Sequence, residues 1–257
     1  MVGADAPASS PKVRRSSLRE QIANALREEM MTGRLPAGQD LTVKEVAEQY
    51  GVSATPVREA LVDLTAQGLL RIEHHRGFTV PALTWEDFVE IVETRVLVID
   101  GIFRHLRRRL RLPDQERLAS VRRRAEAAQR SAEAGELHLV VGCDRRFWAE
   151  LGGLVGSPRV VDYLDWLRVQ AWMFSAPYLR GRDDLAERLW TGHLALVDRV
   201  AAADLAGVRE LLGDYHRRSA GLMAELCGES AEGVVVSAPG YPGDGPSRVP
   251  GQRDPRS

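Results

Sequence analysis

The chain has 257 residues, with 35 Lys and Arg against 36 Asp and Glu and a formal net charge of -1. That length gives room for two modest domains, and the near-neutral balance means that any contact with nucleic acid rests on local charge. No apolar run approaches the roughly 18–20 residues of a membrane span, the first residues lack the apolar core of a signal peptide, and Cys143 and Cys227 imply no disulfide framework, so a soluble cytoplasmic protein is expected.

Residues 1–16 are rich in Ala, Ser and Pro and end in Lys12, Arg14 and Arg15. This is the composition of a disordered arm, either solubilising or lying along a DNA backbone. Residues 17–81 carry the organisation of a winged helix-turn-helix. A short helix places Val43, Val46, Ala47 and Tyr50 on one side, and Gly51 follows where a tight turn needs positive φ. Ser53 is positioned to cap a second helix running to about Gln67, with Val57, Ala60, Leu61 and Leu64 spaced for burial and Gly68 as its stop. Two β-like runs, Leu69–Glu73 and Phe78–Pro81, flank a tip of His74, His75, Arg76 and Gly77. A helix presented by a short partner beside a basic hairpin suits a major groove with phosphates on either side.

Thr84 and Asp87 then form a helix-opening pair. From there to residue 228 the pattern is helical, with segments Trp85–Arg109, Asp114–Ala134, His138–Val155, Arg159–Phe174, Leu185–Ala203 and Leu205–Cys227. Breaks are expected at Pro113, Gly135, residues 156–158, Pro177 with Gly181, and Asp204. The expected fold is therefore mainly α: three helices and a two-stranded wing over 17–81, then a six- or seven-helix antiparallel bundle over 84–228. The Gly-, Pro- and Ser-rich stretch 229–257 reads as a disordered tail.

The run GVSATPVREAL followed by QGLLRIEHHRGFTV resembles the DNA-binding domain of the GntR family of bacterial transcription regulators. The preceding LREQIANALREEMMTGRLPAGQDLTVKEVAEQYGVS fits that family's helix, G-x-L-x-x-G turn and reading head. The all-helical remainder is similar to the FadR branch, which implies an effector-binding, dimerising bundle. The resemblance implies a homodimeric, metabolite-responsive repressor, not an enzyme, on double-stranded, pseudo-palindromic operator DNA. Arg58 occupies the position of the family's VRE arginine and is the leading candidate for a base or phosphate contact. Lys44, Ser53, Thr55, the wing residues His74, Arg76 and Gly77, and Arg34 complete the expected DNA set. Ala54 stands where most relatives carry Arg, so the family's operator does not transfer.

Many relatives of this branch hold a divalent metal through one Asp and three His, the first two in D-x-x-F-H. Here that segment reads Asp144-Arg-Arg-Phe147-Trp148, with His193 and His216 at the later positions. Asp144, His193 and His216 are thus an incomplete set for zinc, nickel or manganese, or alternatively a metal-free polar cluster. Arg95 matches a position the family often keeps near its effector, and two readings stand: a clamp for a carboxylate or a buried salt bridge to Asp144 or Asp165. The effector class implied is a small organic or sugar acid. Two other functions remain open: a bundle that only dimerises, and a metal-dependent enzyme built on the Asp/His cluster. The arginines from Arg104 to Arg130 read as a solvated or partner-facing helix face, with a second nucleic-acid surface as the alternative.

Overall fold

The structure is a computed structural model and describes residues 17–74, 76–109 and 114–236, with the backbone alone at 105–109. The expected arm, His75 of the wing, the Pro113 break and the tail beyond 236 lie outside the described residues. Two compact units are present, residues 1–83 with 172–177, and residues 84–171 with 178–257. No described helix is long and apolar enough to cross a membrane.

The first unit runs α1 (Leu18–Met31), β1 (Asp40–Leu41), α2 (Val43–Tyr50), α3 (Ala54–Ala66), β2 (Arg71–Glu73) and β3 (Gly77–Thr79). Reciprocal capping boxes start two of its helices. Ser17 and Glu20 open α1, Thr42 and Glu45 open α2, and each pair satisfies two backbone N–H groups that the helix cannot. Gly51 closes α2 at φ +64, as its position predicts. Leu26, Met30, Val46, Val57, Leu61 and Leu64 are buried at their i, i+3, i+4 spacing and form the core of the head. The two-stranded wing forms as expected from β2 and β3, with Ile72 opposite Phe78, and β1 adds a third antiparallel strand in the order β1-β3-β2, with Asp40 opposite Thr79. A two-residue strand is too short to show alternation in sequence, so β1 was legible only once paired.

The second unit contains α4 (Trp85–Arg109), α5 (Gln115–Ala134), α6 (Leu137–Gly153), α7 (Pro158–Leu179), α8 (Leu185–Arg188), α9 (His193–Ala201) and α10 (Leu205–Cys227), with residues 172–177 of α7 grouped with the first unit. Thr84 and Asp87 exchange backbone and side-chain hydrogen bonds at 2.8 and 3.2 Å to open α4. Two expectations fail. First, α7 continues through Pro177 to Leu179. Proline removes one helical hydrogen bond, and here it falls in the last turn, beside buried Phe174, Ala176 and Leu179. Second, the expected helix over 185–203 is split into α8 and α9. Leu189 is extended, and Trp190 turns inward until it is 8 % exposed. Gly192 permits this: a Cβ there would lie 2.3 Å from the Trp190 ring.

The start of the expected tail is also ordered by contacts. The Val235 N–H donates to Glu93 Oε1 at 3.1 Å, and the backbone of Val236 is hydrogen-bonded to His216. Within the arginine-rich face, Arg104 pairs with Asp100 and Arg122 with Asp198, while Arg117 Nη2 donates to the Gly153 carbonyl at 2.6 Å. These three arginines stay on the surface and are engaged by acceptors of the same unit.

Candidate functional site

Two sites emerge, one in each unit. On the head, Lys44 and Arg58 line one shallow concavity with Val43, Ala47, Glu48, Gly51, Val52 and Ala54, so α2 and α3 present their basic residues on the same surface. Arg58 is exposed on α3, while Val57 and Leu61 of the same helix are buried. Lys44 is also exposed, and the Glu48 carboxylate one turn on is 3.9 Å away, too loose to hold it. Ser53 occupies the N-cap position with extended backbone, but its hydroxyl makes no capping hydrogen bond. The expected capping role is therefore corrected: Ser53 and Thr55 are both exposed. The first turn of α3 carries no acidic residue, unlike those of α1 and α2. Its N–H groups and positive helix end face outward unshielded, the arrangement that binds phosphate.

His74 and Arg76 are exposed at the wing tip. Gly77 has a backbone reason for being glycine: φ is +91, and a Cβ would lie 2.7 Å from the Leu41 carbonyl oxygen. The β1–β3 pairing by itself requires glycine at this position. Arg34 is exposed in the turn after α1, away from the Lys44–Arg58 concavity lining.

In the bundle, α4, α6, α7, α9 and α10 line a half-open cavity of about 170 Å³. Most of its wall is apolar, with Ile99, Phe103, Leu151, Leu164, Val208 and Leu212 among the lining residues; the charged residues are Arg95, Asp165 and Arg168. Arg95 and Arg168 are 3 % and 5 % exposed. Arg168 Nη1 donates to Asp144 Oδ2 at 3.1 Å and to the Tyr215 hydroxyl at 3.2 Å, and its guanidinium lies 4.6 Å from the Trp148 ring centroid. Asp165 is taken by Arg145 through bonds of 2.8 and 3.0 Å. The suggested salt bridge from Arg95 to either acid does not form, because each acid has another arginine. Arg95 instead bonds to Tyr215, lies 5.3 Å from that ring's centroid, and keeps a buried Nε with no partner. Burial, and then the neighbouring charge of Arg168, push its guanidinium below its ordinary pKa, against the pull of Tyr215 and Asp144.

The residues matched to a metal set are only partly brought together. His193 Nε2 is 4.0 Å from Asp144 Oδ1, but that oxygen accepts from Trp148 Nε1 at 2.6 Å and the other from Arg168. His216 faces a separate small pocket with Asp100, Arg209 and Val236. Among the described residues, no group of three His, Cys, Asp or Glu side chains is placed to hold a metal ion. An indole N–H and a guanidinium complete the Asp144 carboxylate, so a positive group already occupies the position a cation needs. Both imidazoles are held neutral. Burial lowers the pKa of His193, with Arg168 adding to it and Asp144 opposing; His216 is pushed well down by burial and then by Arg95 and Arg168.

Arg168, Trp190 and Tyr215 were missed from the sequence. A signal for Arg168 existed: it is the one charged residue in the stretch WLRVQAWMF, whose only other polar side chain outside the indoles is Gln170. Trp190 sits among Trp148, His193 and Tyr215 with ring centroids 4.8–6.2 Å apart, and its Nε1 donates to Asp214 at 3.2 Å. No periodicity announces that cluster, because its members come from α6, α9, α10 and the α8–α9 break.

The model of bacterial regulatory proteins of the gntR family matches residues 18–80, and that of the FCD domain matches residues 90–217. The chain belongs to the GntR family. It is 25% identical over 222 residues to the HTH-type transcriptional regulator McbR of Escherichia coli, covering 82% of this chain and 95% of that protein. It is 31% identical over 125 residues to an HTH-type transcriptional regulator of Agrobacterium vitis, across 72% of that protein. With the gluconate operon transcriptional repressor of Bacillus subtilis the identity is 33% over 86 residues, 34% of this chain and 35% of that one. Among solved structures, that of E. coli McbR/YncC superposes with a TM-score of 0.68 at 25% identity, covering 82% of this chain and 99% of its own. A Rhodococcus sp. RHA1 GntR regulator shares the fold, with a TM-score of 0.61 over 82% of this chain and 98% of its own, at 22% identity. The chain is a GntR-type transcription regulator with a helical FCD domain.

Proposed function

We propose that this regulator is a repressor that binds a pseudo-palindromic operator as a homodimer and is switched by an anionic metabolite in the cavity of its bundle. The observation that carries the DNA part is the shared outward surface of Lys44, Arg58 and the acid-free first turn of α3. Arg58 reads a base edge or phosphate from within the groove, Lys44 neutralises a phosphate as a point charge, and the α3 N–H groups take another. Two heads related by the symmetry of a dimer match two half-sites. The name of the gluconate operon repressor supports the repressive sense. The effector part is supported by the cavity and by Arg95, whose buried Nε lacks an acceptor. An acid that pairs with Arg95 shifts the protein only insofar as it binds one arrangement of the dimer better than the other.

Selection of bound duplexes from fragmented genomic or random DNA, followed by titration with Arg58→Ala, tests the reading. Loss of about 1–3 kcal/mol, or roughly 5- to 150-fold in Kd, is expected. Unchanged affinity for the selected duplex would remove Arg58 from the interface. A complex with one chain per duplex, by analytical ultracentrifugation, would remove the dimer.

A further inference from the structure

We infer that the bundle cavity binds an amphipathic monocarboxylic acid, with a compact apolar body about the size of a benzene ring, and that it does so without a metal ion. This rests on the regulator reading above and sharpens its effector.

The charge balance around the cavity sets the head group. Arg95 and Arg168 bring two buried cations, Asp144 answers one of them through Arg168, and Asp165 is committed to Arg145. One guanidinium is left over, and it is the one whose buried Nε has no acceptor. A buried donor without a partner is destabilising, and a carboxylate supplies both the missing charge and the missing oxygens. A single carboxylate brings the group to neutrality. A second would be buried without a cation of its own, at a desolvation cost nothing in the wall offsets.

The rest of the wall sets the body. Ile99, Phe103, Leu151, Leu164, Val208 and Leu212 offer no hydrogen-bonding side chains. The hydroxyls of a sugar acid would lose water there and gain nothing, so the sugar acids of the initial expectation do not suit this cavity. Its size, about 170 Å³, compares with an engineered apolar cavity of about 150 Å³ that takes up benzene. Metal independence follows from Asp144, whose oxygens are already held by Trp148 and Arg168. The guanidinium provides the positive field that an ion would otherwise provide, and its stacking on Trp148 fixes it in place.

The test is isothermal titration of the full-length, EDTA-treated protein with benzoate and cyclohexanecarboxylate, beside benzamide and gluconate. Both apolar acids are expected to bind and to raise the bundle's melting temperature, with no response to benzamide or gluconate. Arg95→Met should weaken the acids by roughly tenfold or more. Ala149→Phe keeps the inference testable if that variant folds poorly, since Ala149 lines the cavity yet is exposed. The added ring should block entry without lowering the melting temperature of the free protein. Binding of gluconate in place of the apolar acids, a need for added zinc, nickel or manganese, equal binding of benzamide, or no binding of either apolar acid would each overturn the inference. Duplex binding by the acid-free protein in the same preparation is read separately. A protein that binds DNA but no apolar acid refutes this inference alone, and one that binds the acid but no duplex refutes the regulator reading.

Discussion

Replacing Asp144 by Asn removes one charge from the centre of the bundle and leaves the shape of the side chain intact. Asp144 and Arg168 are each 5 % exposed and 3.1 Å apart from Oδ2 to Nη1. Breaking a buried pair by neutralising one partner costs about 3–5 kcal/mol, because the remaining charge stays out of water uncompensated. Here the upper half of that range is expected. Arg95 is also buried beside Arg168, and the next acid, Asp165, already serves Arg145. The Asn oxygen can still accept from Trp148 Nε1, so the variant isolates the charge. Thermal unfolding followed by near-ultraviolet circular dichroism should show the bundle transition about 10 °C lower, with the transition of the head unmoved. Arg168→Met should cost less, since the orphaned Asp144 keeps its Trp148 hydrogen bond and has His193 4.0 Å away to share a proton. The His193 pKa should rise in that variant, because a charge that lowers it is gone while Asp144 remains. A double Asp144→Leu, Arg168→Met variant should recover most of the loss. A melting temperature for Asp144→Asn within about two degrees of the parent, or a double variant as unstable as the two single losses combined, would show that the ion pair does not organise this core.

Further outcomes follow from the head, the imidazoles and the glycines. The affinity for operator should fall steeply with salt, and Lys44→Ala should reduce the slope by about 0.9, the loss of one phosphate contact; an unchanged slope places Lys44 off the DNA. His193 and His216 have lowered pKa values in the folded protein, so below about pH 6.5 the unfolded chain takes up protons that the folded chain refuses. Stability should therefore decline as pH falls through that value, by at most about 1.4 kcal/mol per pH unit for each imidazole. Urea unfolding between neutral and mildly acidic pH measures this, and His216→Gln should flatten the slope; an identical slope in that variant contradicts the assignment. Gly192→Ala should displace the buried Trp190 ring and cost about 1–3 kcal/mol, visible as a shift in tryptophan emission. Gly77→Ala should destabilise the wing by about 1–3 kcal/mol through backbone strain and the close Leu41 oxygen. Weakened DNA binding with no loss of head stability would instead make Gly77 a contact residue.

Local rules carry most of the head. Glycine at the αL position after α2 and apolar spacing at Val57, Leu61 and Leu64 in the head, and the Thr84–Asp87 pair that opens α4 of the bundle, each act within a turn or two of sequence, and each matches the structure. Ser53 shows the edge of that logic. Its type and position suit a cap, yet the hydroxyl makes no such bond, and residue type alone does not say which hydrogen bond forms. Pro177 and Trp190 show the same limit in the bundle, where burial carried a helix through a proline and broke another at a tryptophan.

The sequence by itself determined the family, the winged head with Arg58 on α3 and Lys44 on α2, and the helical second domain, because those depend on short-range spacing and on motifs written in order along the chain. Only the tertiary structure decided what the second domain can hold. Asp144, Trp148, Arg168, Tyr215 and Arg95 lie on four helices, and nothing in their sequence separation fixes who pairs with whom. That choice was made in packing, where Arg168 reached Asp144 at 3.1 Å, Arg145 took Asp165, and Arg95 was left buried beside an apolar cavity with an open donor. A charge inside a low-dielectric core is governed by its neighbours within a few ångströms, and those neighbours are known only when the helices are in place.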